Sequence, residues 1–148
     1  YIDEAFDGPN LQPDAARARA RGNQIISVVD SYVYWPLVRQ VFAQGTMGPR
    51  LGRTIDTAAY QKGLDAAPKI LSALDDLASG QAYLCGDTLT LADIHLAPMM
   101  SYFGEDPEGL ALLTQSAKLQ AWWQTISAHP ACRETTPRLP DHVIAPEI

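Results

Sequence analysis

The chain of 148 residues is poor in cysteine and in positive charge. Its two cysteines, Cys85 and Cys132, lack CxxC or metal-ligand spacing, so we expect reduced thiols in a cytoplasmic protein and no metal site. Eleven Lys and Arg residues against 17 Asp and Glu give a formal net charge of −6, which argues against nucleic acid or an anionic membrane as a partner. No apolar run approaches the ~18 residues that a membrane span needs.

Strand signals are also missing, because no window alternates strictly between polar and apolar residues. Helical periodicity is present instead: Ile26, Val29, Val33, Leu37 and Val41 recur at spacings of three and four residues. The sequence therefore predicts an all-α fold, a bundle of five to six helices.

The first helix is predicted to run from about residue 13 to 44 and to be kinked or divided near Tyr34, because Pro36 lies inside it. Its second face carries Ile25, Tyr32, Trp35, Arg39 and Phe42, so we expect it to pack between neighbours. The remaining predicted elements are a loop at 45–52, a second long helix at 55–79 that is irregular around Gly63 and Pro68, a helix from Thr90, a short helix at 109–114, a helix from Ser116 to about Ala128, and an extended C-terminal tail.

The helix from Thr90 has a well-marked start. Thr90 can act as N-cap for the N–H of Asp93, and the Asp93 carboxylate can reach back to the N–H of Thr90, which makes a capping box. Leu89 and Ile94 occupy the positions of a hydrophobic staple over that box. Nearly all the residues that follow are apolar, so this helix is expected to be buried on most sides.

This box and staple, preceded by Tyr83-Leu-Cys-Gly-Asp87 and followed by an apolar helix with an internal Pro98, resemble the central helix of the all-helical C-terminal domain of glutathione transferases. The resemblance implies that an N-terminal thioredoxin-like domain is missing here. Residues 1–8 would close the last helix of that domain, 9–13 would be the linker, and 14–148 would form the C-terminal helical domain.

The resemblance also implies where chemistry would occur. The thiol-activating residue of the family lies in the N-terminal domain, so no catalytic residue is expected in this chain. The family's C-terminal domain supplies the hydrophobic wall for the second substrate, and Asp30 would be a candidate contact to glutathione across a dimer. The matching wall positions are Tyr34, Val38, Val41, Met99 and Tyr102. Core packing is the alternative for all five residues, and a plain surface aspartate is the alternative for Asp30.

Other polar groups give weaker signals. His95 lies mid-helix among apolar residues and is interpreted as a partnered core histidine. The pairs Asp75-Asp76 and Glu105-Asp106 are interpreted as solvated turns or faces.

Two main functions remain open after the sequence analysis, and a third, a thiol reductase of the same superfamily, would depend on a catalytic Cys in the missing domain. The parent protein would be a homodimeric, detoxifying glutathione transferase with glutathione as co-substrate, a small hydrophobic electrophile as second substrate and no further cofactor. The alternative is a non-catalytic helical docking module of the same fold, which binds proteins and carries out no thiol chemistry.

Overall fold

The computed structural model describes residues 1–136, and within them it contains seven helices and no strand. The all-α prediction is confirmed, and two short helices account for the higher count. The helices are α1 (Ile2–Ala5), α2 (Ala16–Val28, continued by the π-helical Val29–Met47 and by Gly48–Arg50), α3 (Thr57–Leu77), α4 (Leu91–Phe103), α5 (Pro107–Leu113), α6 (Ala117–Ala128) and α7 (Pro130–Thr135). The predicted extended tail falls on residues 137–148, outside the described part.

Helix α2 is longer than predicted and is not divided at Tyr34. Its backbone changes from α-helical to π-helical at Val29, and Pro36 lies inside the π-helical segment. Proline cannot donate the regular helical hydrogen bond, and its ring crowds the carbonyl four residues earlier, so a wider turn accommodates it. The loop predicted at 45–52 is wrong, because helical backbone continues to Arg50.

Helix α3 is a single α-helix, so the irregularity predicted around Gly63 and Pro68 is also wrong. Gly63 is buried where α3 crosses α2. A Cβ atom built there would lie 2.7 Å from the Pro36 carbonyl oxygen and 2.9 Å from Val41 Cγ2. Glycine is therefore required by the close approach of the two helices rather than by a break in α3.

Helix α4 occupies the centre of the bundle, as its apolar sequence predicts. Leu96, Met100 and Phe103 on this helix are fully buried. They belong to the same core cluster as Trp122 and Ile126 on α6. Helix α4 is therefore the buried central element of the bundle.

Asp106 was expected to be solvated, and the structure corrects this. Its side chain is buried and caps α5 by accepting hydrogen bonds from the N–H groups of Glu108 and Gly109, each at 3.1 Å. The hydroxyl of Tyr60 on α3 donates to Asp106 Oδ1 at 3.0 Å. Burial first, and the Asp106 carboxylate next, raise the pKa of Tyr60 well above its usual range. Asp106 therefore fastens α5 to α3.

Asp75 also has a structural role, although the sequence predicted a solvated carboxylate at this position. Its Oδ1 accepts hydrogen bonds from the N–H groups of Lys118 and Leu119, at 2.9 and 3.0 Å, across more than 40 residues of sequence. The side chain of Ser116, at the N-cap position of α6, makes no capping hydrogen bond. A carboxylate on α3 thus caps the first turn of α6, where the helix dipole favours negative charge.

The second apolar face predicted for α2 is only partly covered. Phe42 is buried, but the side chains of Tyr32 and Trp35 are 63% and 62% exposed. Together with the exposed Arg39 they form a stripe on the outside of α2, called the aromatic stripe below. Along this face the prediction of packing is confirmed at Ile25 and Phe42, which are buried, and is wrong at Tyr32 and Trp35.

Candidate functional site

The Asp93 carboxylate closes the predicted capping box and does more besides. Both contacts of the box are present, and Thr90 donates to Asp93 Oδ2 from its N–H at 2.8 Å and from its hydroxyl at 2.7 Å. Asp93 Oδ1 accepts from the N–H of Leu84 and from Trp122 Nε1, each at 2.8 Å. Asp93 is fully buried, with four hydrogen bonds, so it joins α4 to the preceding turn and to α6.

The predicted staple residues lie beside an open space. Leu89 is half-buried, and Ile94 is 44% exposed. Both line a cavity between α4, α6 and α7 that has a volume of about 580 Å³. The apolar neighbours of the capping box therefore form part of a cavity wall, and exposed apolar surface remains next to the start of α4.

Helices α2 and α4 meet along a line that we call the seam. At one end His95 Nδ1 lies 3.7 Å from Asp30 Oδ1. At the other end the rings of Phe42 and Tyr102 pack with centroids 4.8 Å apart, tilted by 35°. The sequence gives only weak signals for these partners, because each pair joins residues 60 or more positions apart.

The predicted wall residues divide between exposed or half-buried positions and the core. Tyr34 is 46% exposed, and Met99 and Tyr102 are half-buried, so these three side chains can present surface to a ligand. Val38 is nearly covered. Val41 is fully buried and packs at the crossing with α3, so its expected place on the wall is corrected to a place in the core.

The predictions for two polar residues have different outcomes. His95 has a partner, but its side chain is 41% exposed, so it is not a core histidine. Asp30 is 64% exposed at its side chain and faces His95 within the same chain. A contact from Asp30 to glutathione stays a prediction.

The chemistry available in the described residues is limited. Burial raises the pKa of the Cys85 thiol and of the Cys132 thiol, so neither is an activated thiolate. No group of three or more His, Cys, Asp and Glu side chains in residues 1–136 could hold a metal ion. None of the helices described there is long and apolar enough to cross a membrane.

Comparison with known proteins identifies the family to which this chain belongs. The family model "Glutathione S-transferase, C-terminal domain" matches residues 26–130, which include the seam, the capping box and most of the cavity wall. The chain belongs to the glutathione S-transferase family. Among curated relatives, glutathione S-transferase 3 of Zea mays is 28% identical over 136 residues, covering 92% of this chain and 60% of that protein. Glutathione S-transferase F11 of Arabidopsis thaliana is 30% identical over 133 residues, covering 88% and 60%.

Solved structures of the family have the same fold. The structure of glutathione S-transferase III in the apo form matches with a TM-score of 0.77 and 28% identity, covering 95% of this chain and 67% of that one. Glutathione transferase F7 of Populus trichocarpa matches with a TM-score of 0.73 and 26% identity. The chain spans about half to three fifths of the length of its first curated relatives.

Proposed function

We propose that this chain is the C-terminal, second-substrate half of a glutathione transferase that conjugates glutathione to small hydrophobic electrophiles. The observation that carries this proposal is the match of the family's C-terminal domain to residues 26–130, in which Tyr34 on α2 is 46% exposed and Tyr102 lies at the seam. Aromatic side chains offer large apolar surface with a hydroxyl at the edge, which suits an aromatic electrophile that carries a polar group.

In this proposal the chain binds the second substrate, and the reacting thiol comes from glutathione. Both thiols of the chain have raised pKa values, so the attacking thiolate would be that of glutathione, bound by a preceding thioredoxin-like domain. In the reaction the glutathione sulfur forms a bond to carbon, and the leaving group departs with the bonding electrons. The seam residues would hold the electrophile and exclude water. We further propose a cytoplasmic, homodimeric, detoxifying protein with no metal or additional cofactor.

The natural polypeptide that contains this chain tests the proposal directly. It should conjugate glutathione to 1-chloro-2,4-dinitrobenzene, whereas the 148-residue chain alone should not. Tyr34→Ala should raise the KM for the electrophile about fivefold, equivalent to about 1 kcal/mol of binding, and leave the KM for glutathione unchanged. Tyr32→Ala is the matched control, since Tyr32 is an exposed tyrosine of the same helix and is not among the predicted wall positions. Absence of conjugation by the natural polypeptide would refute the proposal.

The aromatic stripe favours a second candidate, the non-catalytic docking module. Exposed Trp, Tyr and Arg side chains are the residue types that contribute most to protein–protein binding. Tyr32, Trp35 and Arg39 lie on one outer face of α2, away from the core. This candidate is favoured if the natural polypeptide lacks conjugation activity and Trp35→Ala weakens its self-association in sedimentation equilibrium. An active polypeptide whose association is unaffected by Trp35→Ala would exclude the stripe as a docking surface.

A further inference from the structure

A histidine and an aspartate face each other across one end of the seam, close to residues predicted for the second-substrate wall. His95 Nδ1 on α4 lies 3.7 Å from Asp30 Oδ1 on α2. Met99 follows His95 by four residues, so the two lie about one helical turn apart on α4. Tyr34 follows Asp30 by four residues on α2 in the same way. The pair is therefore a polar group beside an apolar and aromatic surface.

Both members of the pair are accessible to a bound molecule. The side chain of His95 is 41% exposed, and that of Asp30 is 64% exposed. A pair as exposed as this contributes little to the stability of a fold. Its polar atoms are therefore available for recognition.

The position of Asp30 decides which nitrogen of the neutral His95 ring accepts a hydrogen bond. A carboxylate attracts the ring proton to the nearer nitrogen, which assigns that proton to Nδ1 and leaves the lone pair on Nε2. Asp93, two residues before His95, does not compete, because it is fully buried and bonded to other donors. His95 Nε2 and the Asp30 carboxylate are thus both acceptors. A ligand hydroxyl can donate to them, whereas an ether oxygen finds no donor there.

We propose that the His95–Asp30 pair makes the second-substrate site selective for electrophiles that carry a hydroxyl group beside their apolar part. This inference rests on the proposed conjugation function and names the substrate class of the same site. The apolar part lies against Tyr34 and Met99, and the hydroxyl donates to His95 Nε2. Asp30 is a positioning residue, since it keeps Nε2 free of the proton. The pair binds and orients the electrophile and takes no part in the bond changes.

Two benzyl chlorides that differ by one methyl group test the proposal. The alcohol, 4-(hydroxymethyl)benzyl chloride, can donate a hydrogen bond, and its methyl ether, 4-(methoxymethyl)benzyl chloride, cannot. In both, the glutathione sulfur forms a bond to the benzylic carbon, and chloride leaves with the bonding electrons. Chloride release by the natural polypeptide is followed in mildly alkaline buffer, where an imidazole ring is neutral. After subtraction of the uncatalysed reaction, kcat/KM should be about fivefold higher for the alcohol, the size expected of one net hydrogen bond.

Variants of the pair show whether these two residues cause the preference. In His95→Phe the acceptor is gone, and in Asp30→Ala the ring proton is free to occupy Nε2, so each should reduce the preference to less than about twofold. Both should keep their kcat/KM for the ether, which shows that they fold. Asp76→Ala removes an exposed aspartate of α3 and should keep the preference of about fivefold.

The possible failures are distinguishable. Equal kcat/KM values for the two chlorides would overturn this inference and leave the conjugation proposal standing. A preference that persists in both variants would also overturn it, because the hydroxyl would then be bound elsewhere. If Asp30→Ala raises the KM for glutathione and leaves the preference unchanged, Asp30 contacts glutathione and the inference is wrong. Turnover of neither chloride overturns the inference, and absence of activity on 1-chloro-2,4-dinitrobenzene as well refutes the proposed function itself.

Discussion

Replacement of Asp93 by alanine is the sharpest test of how this domain is held together. The carboxylate is fully buried and accepts hydrogen bonds from Leu84, from Trp122 and twice from Thr90. In Asp93→Ala the Thr90 hydroxyl can rotate towards another acceptor. The N–H groups of Leu84, Thr90 and Trp122 are fixed by the fold and would remain buried without a partner.

The size of the effect follows from those three donors. Each buried donor left unsatisfied costs about 1–3 kcal/mol, so we expect a loss of about 3–9 kcal/mol in the free energy of unfolding. Loss of an N-cap alone would cost about 0.5–2 kcal/mol. Because small domains have only about 5–15 kcal/mol of stability, the variant should be close to unfolded at 25 °C.

The measurement is urea unfolding followed by far-UV circular dichroism and tryptophan fluorescence, since Trp122 contacts the site of the change. Asp93→Asn keeps one acceptor oxygen and should lose only about 1–3 kcal/mol. Asp87→Ala, at an exposed aspartate close in sequence, should change stability by less than about 0.5 kcal/mol. Ligand affinity of the folded fraction should be unchanged in all three. A loss below about 1 kcal/mol for Asp93→Ala would show that the hydrogen-bond network does not carry the stability assigned to it.

Three further changes test other parts of the fold. Gly63→Ala places a Cβ atom 2.7 Å from a backbone oxygen and should lower stability by about 1–3 kcal/mol in urea titrations, whereas Gly8→Ala, with nothing within 4 Å, should not. Asp75→Ala should cost about 0.5–2 kcal/mol by thermal unfolding because it uncaps α6, and a similar loss for the exposed Asp76→Ala would contradict that reason. The raised pKa of Tyr60 means that the folded chain keeps its proton when the unfolded chain loses it, so stability should fall as pH rises above 10.0. Tyr60→Phe should reduce this loss of stability at alkaline pH. If the pH dependence of stability is the same in Tyr60→Phe, Tyr60 is not its cause.

The sequence predicted those structural features that depend only on residues close together in the chain. The start of α4 needs only Thr90 and Asp93 three residues apart, and the end of α3 is followed by Gly80, which has a φ of +79°. The apolar residues at helical spacing in α2 and α4 likewise predicted which faces form the core. Such features depend on neighbours within one or two turns, so the sequence exposes them.

Features that depend on distant partners could not be predicted in this way. Asp75 and Asp106 looked like ordinary surface carboxylates until the fold brought the start of α6 and the hydroxyl of Tyr60 to them. Gly63 was predicted to make its helix irregular, but the structure shows that it allows the close crossing with α2. The π-helical stretch from Val29 also has no clear sequence signal beyond Pro36.

The sequence by itself determined the all-α class, the family resemblance and the capping box, because periodicity and cap chemistry act over a few residues. Tertiary structure alone decided which predicted wall residues can meet a ligand. Tyr34 and Tyr102 keep exposed or half-exposed surface, while Val41 has the same apolar character and is fully buried. Only the packing of α2, α3 and α4 distinguishes them, since burial is a property of the neighbours that the fold brings together and not of the residue type.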